Sequence, residues 1–233
     1  MHAVPVKPAS AVDASAVDAS AVDAAILRAA LQRCGIVVAR HAAYLTRLDT
    51  VLGDGDHGDN LVIGFRAVDA ALVDLPMDTP PGELLRAVGH RLVAAVGGAS
   101  GPLYGTAFLE AGAVAGDRLT LDVATIATML RAASDGLARR GRCTVGDKTI
   151  LDALWPAADA FEATAAPGGP GTTGVPARTP MAQAVRAAAR GMRSTRPMVA
   201  RRGLALRLGD RSMGHLDPGA VSCVLLLRAL GGH

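Results

Sequence analysis

Aromatic residues make up only 3% of this 233-residue chain: three Phe, two Tyr and one Trp. So few rings leave no platform for stacking bases, and a formal net charge of +3 supplies no basic stripe. Both argue against a nucleic-acid partner. No apolar run approaches the roughly 18 to 20 residues of a membrane span, which argues against a membrane protein. Cysteine is scarce as well. Cys34, Cys143 and Cys223 are dispersed and never in CxxC spacing, so neither a disulfide framework nor a zinc knuckle is expected, and a reducing cytoplasm is the expected location. Lys7 and Lys148 are the only lysines; Arg carries the remaining basic charge, a composition bias without functional weight.

What is present is aliphatic. Half of the residues are hydrophobic, mostly Ala, Leu and Val, enough for a sizeable core and a composition that favours helix. Residues 9–24 repeat the unit Ala-Ser-Ala-Val-Asp, with Asp13, Asp18 and Asp23 five apart. That period matches neither helix nor strand, and the aspartates interrupt any signal-like apolar core. Residues 1–23 are therefore expected to be a low-complexity tail, and 24–233 a single helical domain.

Three- and four-residue apolar spacing predicts about eight helices and no good strand. The first runs from Ala24 to about Leu48, with Ile26, Leu27, Leu31, Cys34, Val38 and Leu45 on one face. The second follows Gly58. The third opens at Thr79-Pro80-Pro81, with Thr79 as the expected cap before early prolines, and the fourth near Gly101-Pro102. Thr120 is the expected N-cap of the fifth and Asp147 that of the sixth. Thr179-Pro180 and Asp217-Pro218 open the last two, each a cap followed by a first-turn proline. Val221 to Leu227 has a strand-like run, but the cap before it favours helix. Pro167 to Pro176 reads as an exposed loop. Short connections imply antiparallel neighbours in an all-α bundle or barrel. The polar residues concentrate in the connections after helices one, three, five and seven, which an up-and-down path brings to the same end.

The first of these connections, Leu48 to Asn60 (LDTVLGDGDHGDN), places Asp49, Asp54 and Asp56 within eight residues. Carboxylates so close repel unless cations intervene, and hard oxygen donors without Cys suit Mg²⁺ or Ca²⁺. An EF-hand is excluded. Counting from Asp54, its glycine position holds Asp59 and its glutamate position holds Phe65. Magnesium held by a few carboxylates commonly brings a phosphate-bearing ligand. The second connection, GGASGPLYGT from Gly97, opens a helix with small residues that let an anion approach backbone amides. The third, RGRCTVGDKTILD from Arg140, looks like a P-loop, but Asp147 separates Gly146 from Lys148 and the preceding element is helical. The fourth is RSMGHLDPGA from Arg211. No GxSxG or HExxH motif supports a hydrolase triad or a zincin.

Together, in this order and spacing, the four strings resemble the nucleotide-binding L subunit of dihydroxyacetone kinases, over about residues 26–231. The resemblance implies an eight-helix antiparallel barrel with the nucleotide site at one rim. It implies ADP or ATP with two Mg²⁺ ions on Asp49, Asp54 and Asp56. Nucleotide contacts carry over to His57, Gly58, Asp59, Asn60, Ala99, Ser100, Gly141, Ile150, Asp217, Pro218 and Gly219. It also implies a partner K subunit that holds dihydroxyacetone, or a related short ketose, for phosphoryl transfer. Some types add a phosphohistidine-bearing M subunit that recharges the bound ADP. An ATP-exchanging kinase without that relay, and a nucleotide-dependent regulator of the same fold, are the alternatives. No protein group is required as nucleophile or base. One segment departs. The family usually reads Gly-Arg-Ala-Ser-Tyr-Leu-Gly where this chain has Gly203-Leu204-Ala205-Leu206-Arg207-Leu208-Gly209. Leu204 replaces an arginine that contacts phosphate in the family, and Arg201, Arg202 and Arg207 are the candidates to replace its charge.

Overall fold

The computed structural model describes residues 21–166 and 179–232. The greater part of the pentapeptide repeat and the Pro/Gly/Thr loop lie outside these residues. Eight α-helices are described: α1 (Ala24–Leu52), α2 (His57–Asp74), α3 (Pro81–Ala95), α4 (Ser100–Ala115), α5 (Val123–Gly141), α6 (Leu151–Ala165), α7 (Pro180–Ser194) and α8 (Pro218–Leu230). A 3₁₀ segment, Leu204–Ser212, lies between α7 and α8. Two short strands, β1 (Val22–Asp23) and β2 (Thr120–Leu121), pair antiparallel. No described helix is long and apolar enough to cross a membrane.

Each helix packs on the next, and α8 closes the ring against α1. The result is an up-and-down helical barrel. The apolar faces point inward: Leu27, Leu31, Cys34, Val38 and Leu45 of α1 are buried, as are Leu61, Phe65 and Val68 of α2. The tightest seam joins α3 to α4. A Cβ added at Gly105 would lie 2.8 Å from the Gly89 carbonyl oxygen, so only glycine permits this approach. With so few large rings, the interior keeps an apolar cavity of about 190 Å³, lined by Leu27, Leu85, Phe108, Met129 and Leu226 among others. The three cysteines are buried free thiols, and burial pushes Cys34 and Cys223 up to about 12.

Most helix starts follow their sequence signals. Thr179 accepts the Ala182 N–H at 3.2 Å, and Asp217 accepts the Ala220 N–H at 2.7 Å. Three expectations need correction. Thr120 is not a cap; it pairs with Asp23 in the strand ribbon, and Asp122 caps α5 by accepting the Thr125 N–H at 2.7 Å. Thr79 turns back to donate to the Pro76 carbonyl at 2.7 Å, leaving Pro80 at the N-cap of α3. Asp147 lies before α6 and accepts the Thr144 N–H at 2.9 Å, while Asp152 ties down the helix start through the N–H groups of Gly146 (2.6 Å) and Thr149 (2.7 Å). Asp23, the last residue of the expected tail, caps α1 through the Ile26 N–H at 2.8 Å.

Candidate functional site

The connections after α1, α3, α5 and α7 meet at one mouth of the barrel and line a cleft of about 800 Å³. At its acidic wall, one oxygen from each of Asp49, Asp54 and Asp56 lies within 4.8 Å of the others. Asp49 is largely buried in the last turn of α1. Its Oδ2 accepts the N–H groups of Gly55 (3.0 Å), Asp56 (3.0 Å) and His57 (3.2 Å), which folds the loop over it. A Cβ on Gly53 would overlap the Asp49 carboxylate. The same turn needs a left-handed residue at Gly55, where φ is 78°. Asp54 and Asp56 are exposed. Desolvation first, then the neighbouring Asp54 and Asp49 charges, push the Asp56 carboxyl up, against a lowering hydrogen bond from Asn60. Three hard oxygen donors in mutual repulsion fit a divalent cation such as Mg²⁺.

A chain of hydrogen bonds runs from this wall into the core. His57 Nδ1 meets Ser100 Oγ at 3.0 Å, and Nε2 meets Ser222 Oγ at 2.8 Å. The Tyr104 hydroxyl meets Ser222 Oγ at 2.7 Å. Ser222 donates its single proton to the Pro218 carbonyl at 3.0 Å or to that of Gly219 at 3.1 Å. It therefore accepts from both Tyr104 and His57 Nε2–H. Nδ1 is then an acceptor, and Ser100 donates to it. Burial pushes the His57 imidazole below its usual range, which favours the neutral ring; the hydrogen bonds choose between its tautomers.

The opposite wall is held by Lys148. Its backbone is left-handed (φ 62°) and its buried Nζ donates to the carbonyls of Thr195 (2.6 Å) and His215 (2.5 Å). This side chain ties the α5–α6 loop to the end of α7 and to the loop before α8. Desolvation lowers its pKa, with Asp217 and Asp152 acting against that. Burial likewise pushes the Asp217 carboxyl up to about 7, against its cap bond to Ala220. Arg140, Arg202 and Arg207 also line the cleft. Arg202 Nε pairs with the buried Asp147 at 3.3 Å.

Of the residues expected at the site, Asp49, Asp54, Asp56, His57, Ala99, Ser100, Gly141, Ile150, Asp217, Pro218 and Gly219 all line the cleft. Gly58, Asp59 and Asn60 are absent from its lining. A Cβ on Gly58 would overlap the Ala42 carbonyl, so this glycine seats α2 against α1. Asp59 is exposed in the first turn of α2, and Asn60 acts on Asp56. Sequence reasoning gave no role to Lys148, Tyr104 or Ser222. Lys148 is the sole lysine among the described residues, a rarity that could have pointed to it; the two hydroxyls carried no signal.

Residues 51–232 match the family described as the DAK2 domain. The chain is 38% identical over 200 residues to the ADP-binding subunit DhaL of PEP-dependent dihydroxyacetone kinase 2 from Listeria innocua, covering 85% of this chain and 89% of that protein. It is 36% identical over 198 residues to the corresponding Escherichia coli subunit, covering 85% of this chain and 91% of that protein. In fold it is similar to the dihydroxyacetone kinase from C. freundii, solved in complex with AMP-PNP and Mg²⁺, with a TM-score of 0.65 at 23% identity. That match covers 98% of this chain and 38% of the longer kinase.

Proposed function

We propose that the cleft of this chain, which belongs to the DAK2 domain family and within it to the dihydroxyacetone kinase ADP-binding subunits, binds Mg-ADP or Mg-ATP and serves phosphoryl transfer. The acceptor is dihydroxyacetone or a related short ketose held by a partner K subunit. The observation that carries this reading is the convergence of all four polar loops on one cleft whose acidic wall gathers three carboxylates.

Asp49, Asp54 and Asp56 would hold two Mg²⁺ ions, which supply charge neutralisation and orientation of the phosphates. The chain's own residues do the rest. Asp49 fixes the loop that carries the other two carboxylates. No side chain caps α4 among the described residues, so the amides at Ser100 and Gly101 are available to an anion. Neutral His57 holds the Ser100 hydroxyl in one orientation at that helix start. Three aspartates and ADP contribute about −6 against +4 from two ions, and helix amides and arginine balance the remainder. Catalysis is positioning and electrostatic stabilisation of an in-line transfer, with no side chain needed as nucleophile or base.

Calorimetric titration of the purified chain with Mg-ADP tests the reading. Binding is expected in the chain and lost in Asp54→Ala; absence of binding, or equal binding in the variant, overturns it. Turnover with a K subunit, recharged either by ATP or by a phosphohistidine-bearing M subunit, separates an exchanging kinase from a relay.

A further inference from the structure

Three arginines line the cleft, and their surroundings differ. Arg202 is committed to Asp147. Arg140 lies in the last turn of α5, where its charge already faces the carbonyl end of the helix. Arg201, which is exposed, does not line the cleft. Arg207 lines it, is exposed, and makes no ion pair with any carboxylate among the described residues. It belongs to the 3₁₀ segment, whose conformation departs from helical only at Gly209 (φ 54°, ψ −131°). With three residues per turn, side chains three apart eclipse each other. Leu204 and Arg207 are three apart on the continuous stretch before Gly209, so they share one edge of the segment. Leu204 also lines the cleft.

We propose that Arg207 binds the polyphosphate of the nucleotide, from the edge of the 3₁₀ segment that it shares with Leu204. The inference rests on the nucleotide reading of the cleft and adds a specific phosphate-binding residue to it. A guanidinium is suited to the work because its planar fork gives two parallel hydrogen bonds to phosphate oxygens and it stays charged at every working pH. The exposed segment also lets the long side chain reach a ligand without first breaking an internal bond.

Mg-ADP affinity of the full chain, Arg207→Ala, Arg201→Ala and the double variant Leu204→Arg/Arg207→Ala tests this by calorimetry, with thermal unfolding of each ligand-free protein alongside. Arg207→Ala is expected to weaken binding about 10- to 100-fold, the effect of one charge-assisted contact, with an unchanged unfolding midpoint. Arg201→Ala is expected to bind within about twofold of the parent, and Leu204→Arg to restore most of the affinity lost by Arg207→Ala. Equal affinity of Arg207→Ala and parent overturns the proposal, as does a loss that Leu204→Arg fails to restore. Failure of the parent itself to bind Mg-ADP is a different result and overturns the function reading, with this inference falling with it.

Discussion

Replacing Asp54 with Ala should stabilise the ligand-free protein while removing its response to ligand. The three carboxylates offer oxygens within 4.8 Å of one another. At that distance two unit charges in water repel by about 0.9 kcal/mol. Asp54 is exposed, so the water value is the relevant one, and screening at physiological ionic strength reduces it to about 0.5 kcal/mol. Asp54 has two such neighbours, so its removal relieves about 1 kcal/mol, worth about 2 to 4 °C in a protein of this length. Scanning calorimetry in EDTA should show the variant melting above the parent by that margin. The margin should shrink as salt is added. With Mg-ADP at about 100 times its dissociation constant the order should invert, because the parent gains about 2.7 kcal/mol and the variant almost nothing. A variant that melts below the parent in EDTA would mean that the carboxylate holds the loop together rather than straining it, and would overturn the repulsion account.

Ser222→Ala removes the acceptor shared by His57 and Tyr104 in the buried core. It should cost about 1 to 3 kcal/mol in urea unfolding, and an unchanged midpoint would contradict the Tyr104–Ser222–His57 hydrogen-bond chain. Gly58→Ala drives a methyl group into the Ala42 carbonyl and should cost a similar amount, about 1 to 3 kcal/mol, by spreading α1 from α2. A thermal midpoint within error of the parent would show that the seam can give. Asp217 contributes a distinct share of the pH dependence. Its carboxyl is raised to about 7 in the folded protein, so the unfolded chain loses that proton first. The group therefore withdraws stability as pH rises through the interval from about 4 to 7. Asp217→Asn should gain on the parent across that interval in denaturant titrations, and parallel curves would remove the burial argument.

The helices were legible where a local signal is also the structural one. Thr179-Pro180 and Asp217-Pro218 need only their own next turn to act as caps, and both do so. Thr79, Thr120 and Asp147 are the same residue types but find other partners. Thr120 is claimed by a strand pairing with Asp23, nearly a hundred residues earlier, and no local pattern encodes that. The carboxylate loop was legible because its three acidic residues lie within eight positions and repel wherever the chain folds. The Ser222–Tyr104–His57 chain was not, because it joins three helices through single hydroxyls. Nor was the 3₁₀ segment: no local signal in Leu204–Ser212 says that Arg207 lines the cleft unpaired while Arg202, just before the segment, is held by Asp147.

Both ends of the barrel leave helix backbone groups unpaired, and charged side chains claim most of them. At the end away from the cleft, Arg28 reaches from α1 to the carbonyls of Leu72 (2.5 Å), Leu75 (3.2 Å) and Pro76, and Arg118 closes on those of Val114 (3.0 Å) and Ala115 (3.1 Å). Cations there quench carbonyl groups that helices leave unpaired. At the mouth the helices α2, α4, α6 and α8 begin, and the unpaired groups include N–H donors. Asp49, Asp152 and Asp217 claim those around α2, α6 and α8. The start of α4 has no such cap. An acidic cap on α4 would have been locally favourable, as it is for its neighbours, by about 1 kcal/mol. Small residues from Gly97 to Gly101 stand there instead, facing the same cleft as the three aspartates. The fold thus keeps one set of donors open to an anion beside a cluster of carboxylates that only a cation can quiet, and a metal-bound phosphate satisfies both at once.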